Sequence, residues 1–191
     1  MGAMVKVLVP LAEGFEEIEA VTIVDVLRRA GVEVTVAALA ERVVTGSHGI
    51  GLIADALLSE IEPATFDAIA LPGGPGVAQL RADGRIRQLL VEMQAAQKWT
   101  AAICAAPTVL SDAGLLAGVR ATSYPALQPE LVVGEYLETS VVVDRRIVTS
   151  RGVGTALDFA LKLVALLVDE KTAGVLARAM VVVDPAPAAS T

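Results

Sequence analysis

Trp99-Thr100-Ala101-Ala102-Ile103-Cys104-Ala105-Ala106-Pro107-Thr108 reads as a short buried strand that turns abruptly into a helix. Pro107 suits a first helical turn, where a missing N–H leaves no internal bond broken. The turn carries the only cysteine of the chain. A cysteine between strand and helix meets unpaired amide N–H groups and the positive end of the helix dipole, both of which favour a thiolate. Free cysteines are also among the most buried residues and are then inert. The local pattern therefore leaves a reactive thiol and a core thiol both open.

The same strand-to-helix punctuation recurs outward from this point. Val5 to Leu11 is an apolar run broken only by Lys6, as expected of an interior parallel strand. Gly14 then precedes a helix from about Glu16 to Ala30, closed by Gly31. Its apolar stripe uses Ile18, Val21, Ile23, Val24, Leu27 and Ala30. Glu16 and Glu17 in the first turn, and Arg28 and Arg29 in the last, complement the dipole. Glu19 shares a face with Ile23, Val26 and Ala30, where a carboxylate needs a partner or a proton. The same reasoning touches Glu16. Periodicity does not choose between them, nor does it exclude two solvated first-turn acids.

Val32 to Leu39 and Phe66 to Leu71 are further strands, the second followed by Pro72-Gly73-Gly74-Pro75-Gly76. Between them, Val43 to Ile53 reads as a twisted hairpin or irregular loop containing His48, the sole histidine. Helices are expected over Asp83–Gln97, Ala105–Ala113, Ala156–Val168 and Lys171–Met180. Arg120 to Leu127 contains the extended pair Tyr124-Pro125. Tyr136–Asp144 and Arg146–Ser150 form a hairpin that runs into the turn Arg151-Gly152-Val153-Gly154-Thr155. Neither glycine-rich loop has the dinucleotide or phosphate-loop pattern. The alternation specifies a three-layer α/β sandwich with a mostly parallel central sheet. The turns at Glu16, Gly73, Cys104 and Gly152 all follow strands, so they gather at one carboxyl-end rim, where open sheets bind small molecules.

Composition narrows the classes. The 191 residues suffice for one domain, and the core must be aliphatic, since 54% of residues are hydrophobic and only 3% aromatic. Fifteen basic against 22 acidic residues give a net charge of −7, which disfavours nucleic-acid partners. One cysteine permits no intrachain disulfide and no cysteine-rich metal site, and suits a reducing, cytoplasmic compartment. No apolar segment is long enough to span a bilayer, and no signal-peptide or myristoylation pattern is present. Residues 4–183 are expected to form the single domain, with Met1 to Ala3 a cloning remnant and residues 184–191 a disordered tail.

Four motifs occur in order: Pro10-x-x-Glu13-Gly14-Phe15-Glu16-Glu17-Ile18-Glu19, Leu71-Pro72-Gly73-Gly74, Ala101-Ala102-Ile103-Cys104-Ala105-Ala106-Pro107 and Thr149-Ser150-Arg151-Gly152-x-Gly154-Thr155. Together they resemble the DJ-one/ThiJ/PfpI superfamily, in the branch of the parkinsonism-associated deglycase and its bacterial YajL-like relatives. The resemblance implies a flavodoxin-like, class I glutamine amidotransferase-like fold and a homodimer. It maps the reactive cysteine to Cys104 and its protonated glutamic acid partner to Glu19, and it maps the oxyanion-binding N–H groups to Gly74 and Ala105. It implies no cofactor and no metal.

Two functions follow from the resemblance. One is a cysteine-dependent, glutathione-independent glyoxalase (glyoxalase III, D-lactate dehydratase type) or deglycase. It would act on methylglyoxal, glyoxal or their adducts through a hemithioacetal at Cys104, with Glu19 moving protons. The other is a non-enzymatic oxidative-stress sensor or chaperone whose Cys104 is taken to the sulfinate. Some relatives place a histidine where this chain has Tyr124, and a phenol is a poor base at neutral pH. Slow turnover is therefore expected, with Tyr124 read as a pocket-lining residue. Ala105 directly after the cysteine excludes a Cys-His-Glu peptidase or amidotransferase triad. His48 and Arg29 match arginines near the relatives' dimer interface. They are expected either to reach substrate or to be ordinary solvated residues.

Overall fold

The computed structural model describes residues 4–182. The expected remnant and tail lie outside the described residues, as does the last position of the expected domain. The strands are β1 (Lys6–Leu11), β2 (Glu33–Ala38), β3 (Val43–Thr45), β4 (Gly51–Ile53), β5 (Ala56–Leu57), β6 (Ala68–Leu71), β7 (Trp99–Ile103), β8 (Arg120–Ala121), β9 (Glu135–Tyr136), β10 (Val141–Asp144) and β11 (Ile147–Ser150). The helices are α1 (Glu17–Arg29), α2 (Val77–Ala82), α3 (Gly84–Ala95), α4 (Pro107–Asp112), α5 (Ala156–Leu167) and α6 (Glu170–Ala179).

Seven strands form the central sheet in the order β10-β11-β7-β6-β1-β2-β5. All neighbours are parallel except the edge pair β10–β11. Side chains alternate across the sheet. Val7, Val9, Leu11, Ala101 and Ile103 join the core under α1 and α5, while Leu8, Ile69, Leu71 and Ala102 join the core under α2, α3 and α4. Being buried on both faces is why these strands read as continuous apolar runs. The fold is a flavodoxin-like three-layer sandwich, as the alternation of elements specified. Strands β1, β6, β7 and β11 are consecutive neighbours. Their carboxyl-end turns therefore share one rim.

The structure changes three details of the sequence reading. Helix α2 is a separate element where the sequence reading assigned none, because fewer than two helical turns are too short to show periodicity. Ile18 and Val21 are 57% and 45% exposed, although the apolar stripe of α1 placed them inward. The buried positions of α1 are instead Glu17, Glu19, Ala20, Ile23, Val26 and Leu27. Glu16 is buried too, so none of the three acids is a solvated first-turn residue. The loop from β1 and the β3–β4 hairpin cover the start of the helix.

Candidate functional site

The elbow after β7 holds Cys104 at φ +64°, in the left-handed region that costs a non-glycine residue about 1–3 kcal/mol. Its main chain is fixed at both ends. The Cys104 N–H donates to the Ser150 carbonyl at 3.0 Å, and the Cys104 carbonyl accepts the Tyr124 N–H at 2.8 Å. These bonds over-determine the conformation of the cysteine, whose thiol is half-buried. Pro107 opens α4 as the sequence implied.

Glu19 approaches from α1 and is 0% exposed. The helix is set by Glu16 at its N-cap, whose Oε2 accepts the Glu19 N–H at 2.7 Å. Glu19 Oε2 accepts the Gly73 N–H at 2.8 Å, while Oε1 is buried with no hydrogen-bond partner. Gly73 has no room for a side chain, since a Cβ there would stand 2.6 Å from Cys104 Cβ and 2.8 Å from Glu19 Oε2. Gly74, at φ +94°, turns its N–H toward the sulfur beside that of Ala105.

Electrostatics couple the two side chains. Burial pushes the Glu19 carboxyl up to about 7, and the charge of Glu16 adds to this against the Gly73 N–H and the Cys104 thiol. Burial likewise pushes the Cys104 thiol up to about 12, reinforced by the ionised Glu19, against the N–H groups of Ala105 and Gly74. The N–H groups at the helix end therefore do not outweigh burial while Glu19 is ionised. When Glu19 carries the proton, its repulsion vanishes and its O–H becomes a donor to sulfur. One proton is in effect shared by the pair.

Of the remaining expected residues, Tyr124 lies at the rim, half-exposed, with its ring beside Gly152. Arg29 and His48 are not brought to Cys104 within one chain. Arg29 pairs with Asp25 at 2.6 Å near the far end of α1. His48 caps the β3–β4 hairpin and contacts Glu17 through Nδ1 at 3.0 Å. Sequence reasoning missed the role of Glu17. Its carboxylate accepts the N–H of His48 at 2.6 Å and the hydroxyl of Ser47 at 3.2 Å, tying the hairpin to α1. Burial opposes ionisation there, but the His48 side-chain and backbone bonds prevail and hold the carboxyl at about 2. Among the described residues, Glu16, Glu17 and His48 form the one group with metal-ligand spacing. Both Glu17 oxygens are already engaged by hairpin donors.

A flavodoxin-like sandwich whose carboxyl-end rim presents a single cysteine at a strained elbow, against a buried glutamic acid, defines the class of protein. The DJ-1/PfpI family model matches residues 5–166, and the chain belongs to that family. It is 42% identical over 172 residues to Protein DJ-1 homolog B of Arabidopsis thaliana, covering 88% of this chain but 39% of that protein. The chain thus spans well under half the length of that relative. It is 38% identical to the glutathione-independent glyoxalase DJR-1.2 of Caenorhabditis elegans, covering 81% of this chain and 84% of that one. With the deglycase PYRAB04690 of Pyrococcus abyssi the identity is 34%, over 85% and 99% of the two chains. Among solved structures, oxidized DJ-1 of Toxoplasma gondii superposes with a TM-score of 0.89 at 43% identity, covering 93% and 98% of the chains. Drosophila melanogaster DJ-1beta gives 0.91 at 38% identity, covering 95% and 100%.

Proposed function

We propose that the protein is a glutathione-independent glyoxalase of the deglycase type that acts on methylglyoxal, glyoxal and their adducts. The carrying observation is the buried, partnerless Oε1 of Glu19 beside the Cys104 thiol. With the shared proton on Glu19, the Cys104 thiolate adds to the aldehyde carbon. An S–C bond forms, and the Glu19 proton passes to the new alkoxide, giving a hemithioacetal. The Gly74 and Ala105 N–H groups, which face the sulfur, stabilise the developing oxyanion. Glu19, now a carboxylate, takes the proton from the former aldehyde carbon and returns it to the neighbouring carbon through an enediol, while the hydroxyl proton on the first carbon passes to the neighbouring carbonyl oxygen. The first carbon is thereby oxidised to a thioester and the second reduced to an alcohol. Water cleaves the thioester, releasing lactate or glycolate and restoring the thiol. Tyr124 stands where some relatives place a histidine, so proton transfer falls to Glu19 and turnover is slow.

The relatives named as a glyoxalase and a deglycase support this reading. Purified protein is expected to convert methylglyoxal to lactate without glutathione, and Cys104→Ser to lose all of it. Equal rates in the two proteins would overturn the proposal.

A second reading is favoured by the oxidized state of the Toxoplasma gondii neighbour. Here Cys104 is oxidised by peroxide to a sulfinate held by Glu19 and the two N–H groups, as a stress sensor or chaperone. Mass spectrometry after mild peroxide would show two added oxygens at Cys104, and lactate turnover separates the readings. In either case the protein is proposed to act in the cytoplasm as a homodimer. Ile18, Val21, Ile50 and Ile53 are exposed apolar side chains, and Val21 and Ile53 line one groove of about 270 Å³. Among the described residues no helix is long and apolar enough to cross a membrane.

A further inference from the structure

The segment from Ser150 to Thr155 holds Cys104 from two sides. The Ser150 carbonyl accepts the Cys104 N–H, while the Ser150 hydroxyl donates to the Ser140 carbonyl at 2.7 Å. That bond uses the only proton of the serine. Ser150 Oγ and Thr155 Oγ1 stand 2.7 Å apart in a hydroxyl–hydroxyl contact, and Thr155 Oγ1 donates to the Gly152 carbonyl at 2.9 Å. Thr155 Oγ1 in turn accepts the Gly152 N–H at 3.1 Å and the Arg151 N–H at 3.3 Å. One hydroxyl thus gathers the main chain of the Arg151–Gly152 turn and links it to the serine whose carbonyl anchors the cysteine.

The turn stands directly over the sulfur. A methyl group on Gly152 Cα would sit 3.9 Å from Cys104 Sγ and 3.7 Å from Tyr124 Cδ2. Capping of α5 does not account for the threonine, whose hydroxyl instead closes the short 3-10 turn Val153–Thr155 by accepting the N–H of its N-cap, Gly152. Thr155 occupies the N-cap position of α5, yet its side chain accepts from no N–H of that helix. It points back to the turn instead.

We propose that Thr155 is a positioning residue of the Cys104 site: its hydroxyl holds the Arg151–Gly152 turn as the wall over the sulfur. The wall sets how an aldehyde reaches the thiol and keeps water from the Cys104–Glu19 pair. This deepens the glyoxalase reading and rests on Cys104 being the reacting thiol. Burial is the first cause of the raised proton affinity of both groups. A loosened wall therefore admits water, lowers both pKa values and exposes the sulfur.

Alkylation by iodoacetamide tests this without aldehyde turnover. The sulfur displaces iodide, the thiol proton goes to solvent, and the single cysteine makes the mass change unambiguous. Thr155→Val should alkylate about tenfold faster, the loss of roughly one well-placed hydrogen bond, with the midpoint of the pH profile moved downward. Thr155→Ser should stay within about twofold of the wild type, because one hydroxyl suffices for the bonds described. Gly152→Ala has extended backbone and room for its methyl, so it should fold with a thicker wall and alkylate more slowly. A folded Thr155→Val with wild-type rate and midpoint overturns the proposal, as does a Thr155→Ser that matches the valine variant. If the valine variant does not fold, Gly152→Ala decides: an unchanged rate overturns the wall. Alkylation as expected, with no lactate formed by the wild type, keeps the wall and removes the glyoxalase reading.

Discussion

Glu19→Gln separates the chemical and the energetic consequences of the buried carboxyl. An unfolded glutamate ionises near 4.5, whereas the folded one holds its proton up to about 7. Between those pH values the native state binds a proton that the unfolded state has lost. Stability is thus greatest below 4.5 and falls as pH rises through 7. The difference between 4.5 and about 7 amounts to about 3 kcal/mol, most of it spent between pH 5 and 8. Glutamine has nearly the same shape, keeps an acceptor for the Gly73 N–H and never ionises. Its stability relative to the wild type should therefore rise by about 2–3 kcal/mol from pH 5 to pH 8. Urea denaturation followed by Trp99 fluorescence at the two pH values measures this directly. His48, whose proton affinity is raised by its bond to Glu17, also loses stabilisation as pH rises. That contribution is common to both proteins and cancels in the difference. Lactate formation should meanwhile drop by roughly a hundredfold or more, as for loss of a general acid–base. A gap between the two proteins that stays constant from pH 5 to 8 would refute the claim that burial governs Glu19.

Three further outcomes follow from the geometry. Gly73→Ala forces a Cβ to 2.6 Å from Cys104 Cβ, so it should cost about 1–3 kcal/mol in thermal or urea unfolding. It should also cut the methylglyoxal rate at least as much as it disturbs the pair, and unchanged unfolding would show that the rim is softer than described. Tyr124→His keeps the main-chain bond to the Cys104 carbonyl and adds a group that titrates near neutrality. Its kcat should increase by about ten- to a hundredfold, and a rate no higher than wild type would remove the slow-base argument. Ile53→Asp puts a charge on an apolar residue that is 79% exposed at the groove it lines with Val21. Light scattering should then report a monomer where the wild type is a dimer, and an intact dimer would place the interface elsewhere.

The fold was legible because its determinants are local. Strands such as Val5 to Leu11 and Trp99 to Ile103 announce themselves as apolar runs, since both faces of a central parallel strand are buried. The elbow at Cys104 was legible for the same reason: strand, cysteine and Pro107 are contiguous in the chain. Family motifs then pointed to Glu19, which periodicity alone could not separate from Glu16. What the chain order could not carry is which distant groups meet. The inward turn of Glu17 depends on hairpin donors about thirty positions away, so α1 and its N-cap together bury three acids while Ile18 and Val21 face outward. The proton affinities of Cys104 and Glu19 depend on how completely Gly73, Gly74 and the Arg151–Gly152 turn exclude water. A helix N-terminus favours a thiolate, and the sequence contains one. Desolvation opposes it, and only the packed rim decides that desolvation wins until Glu19 takes the proton.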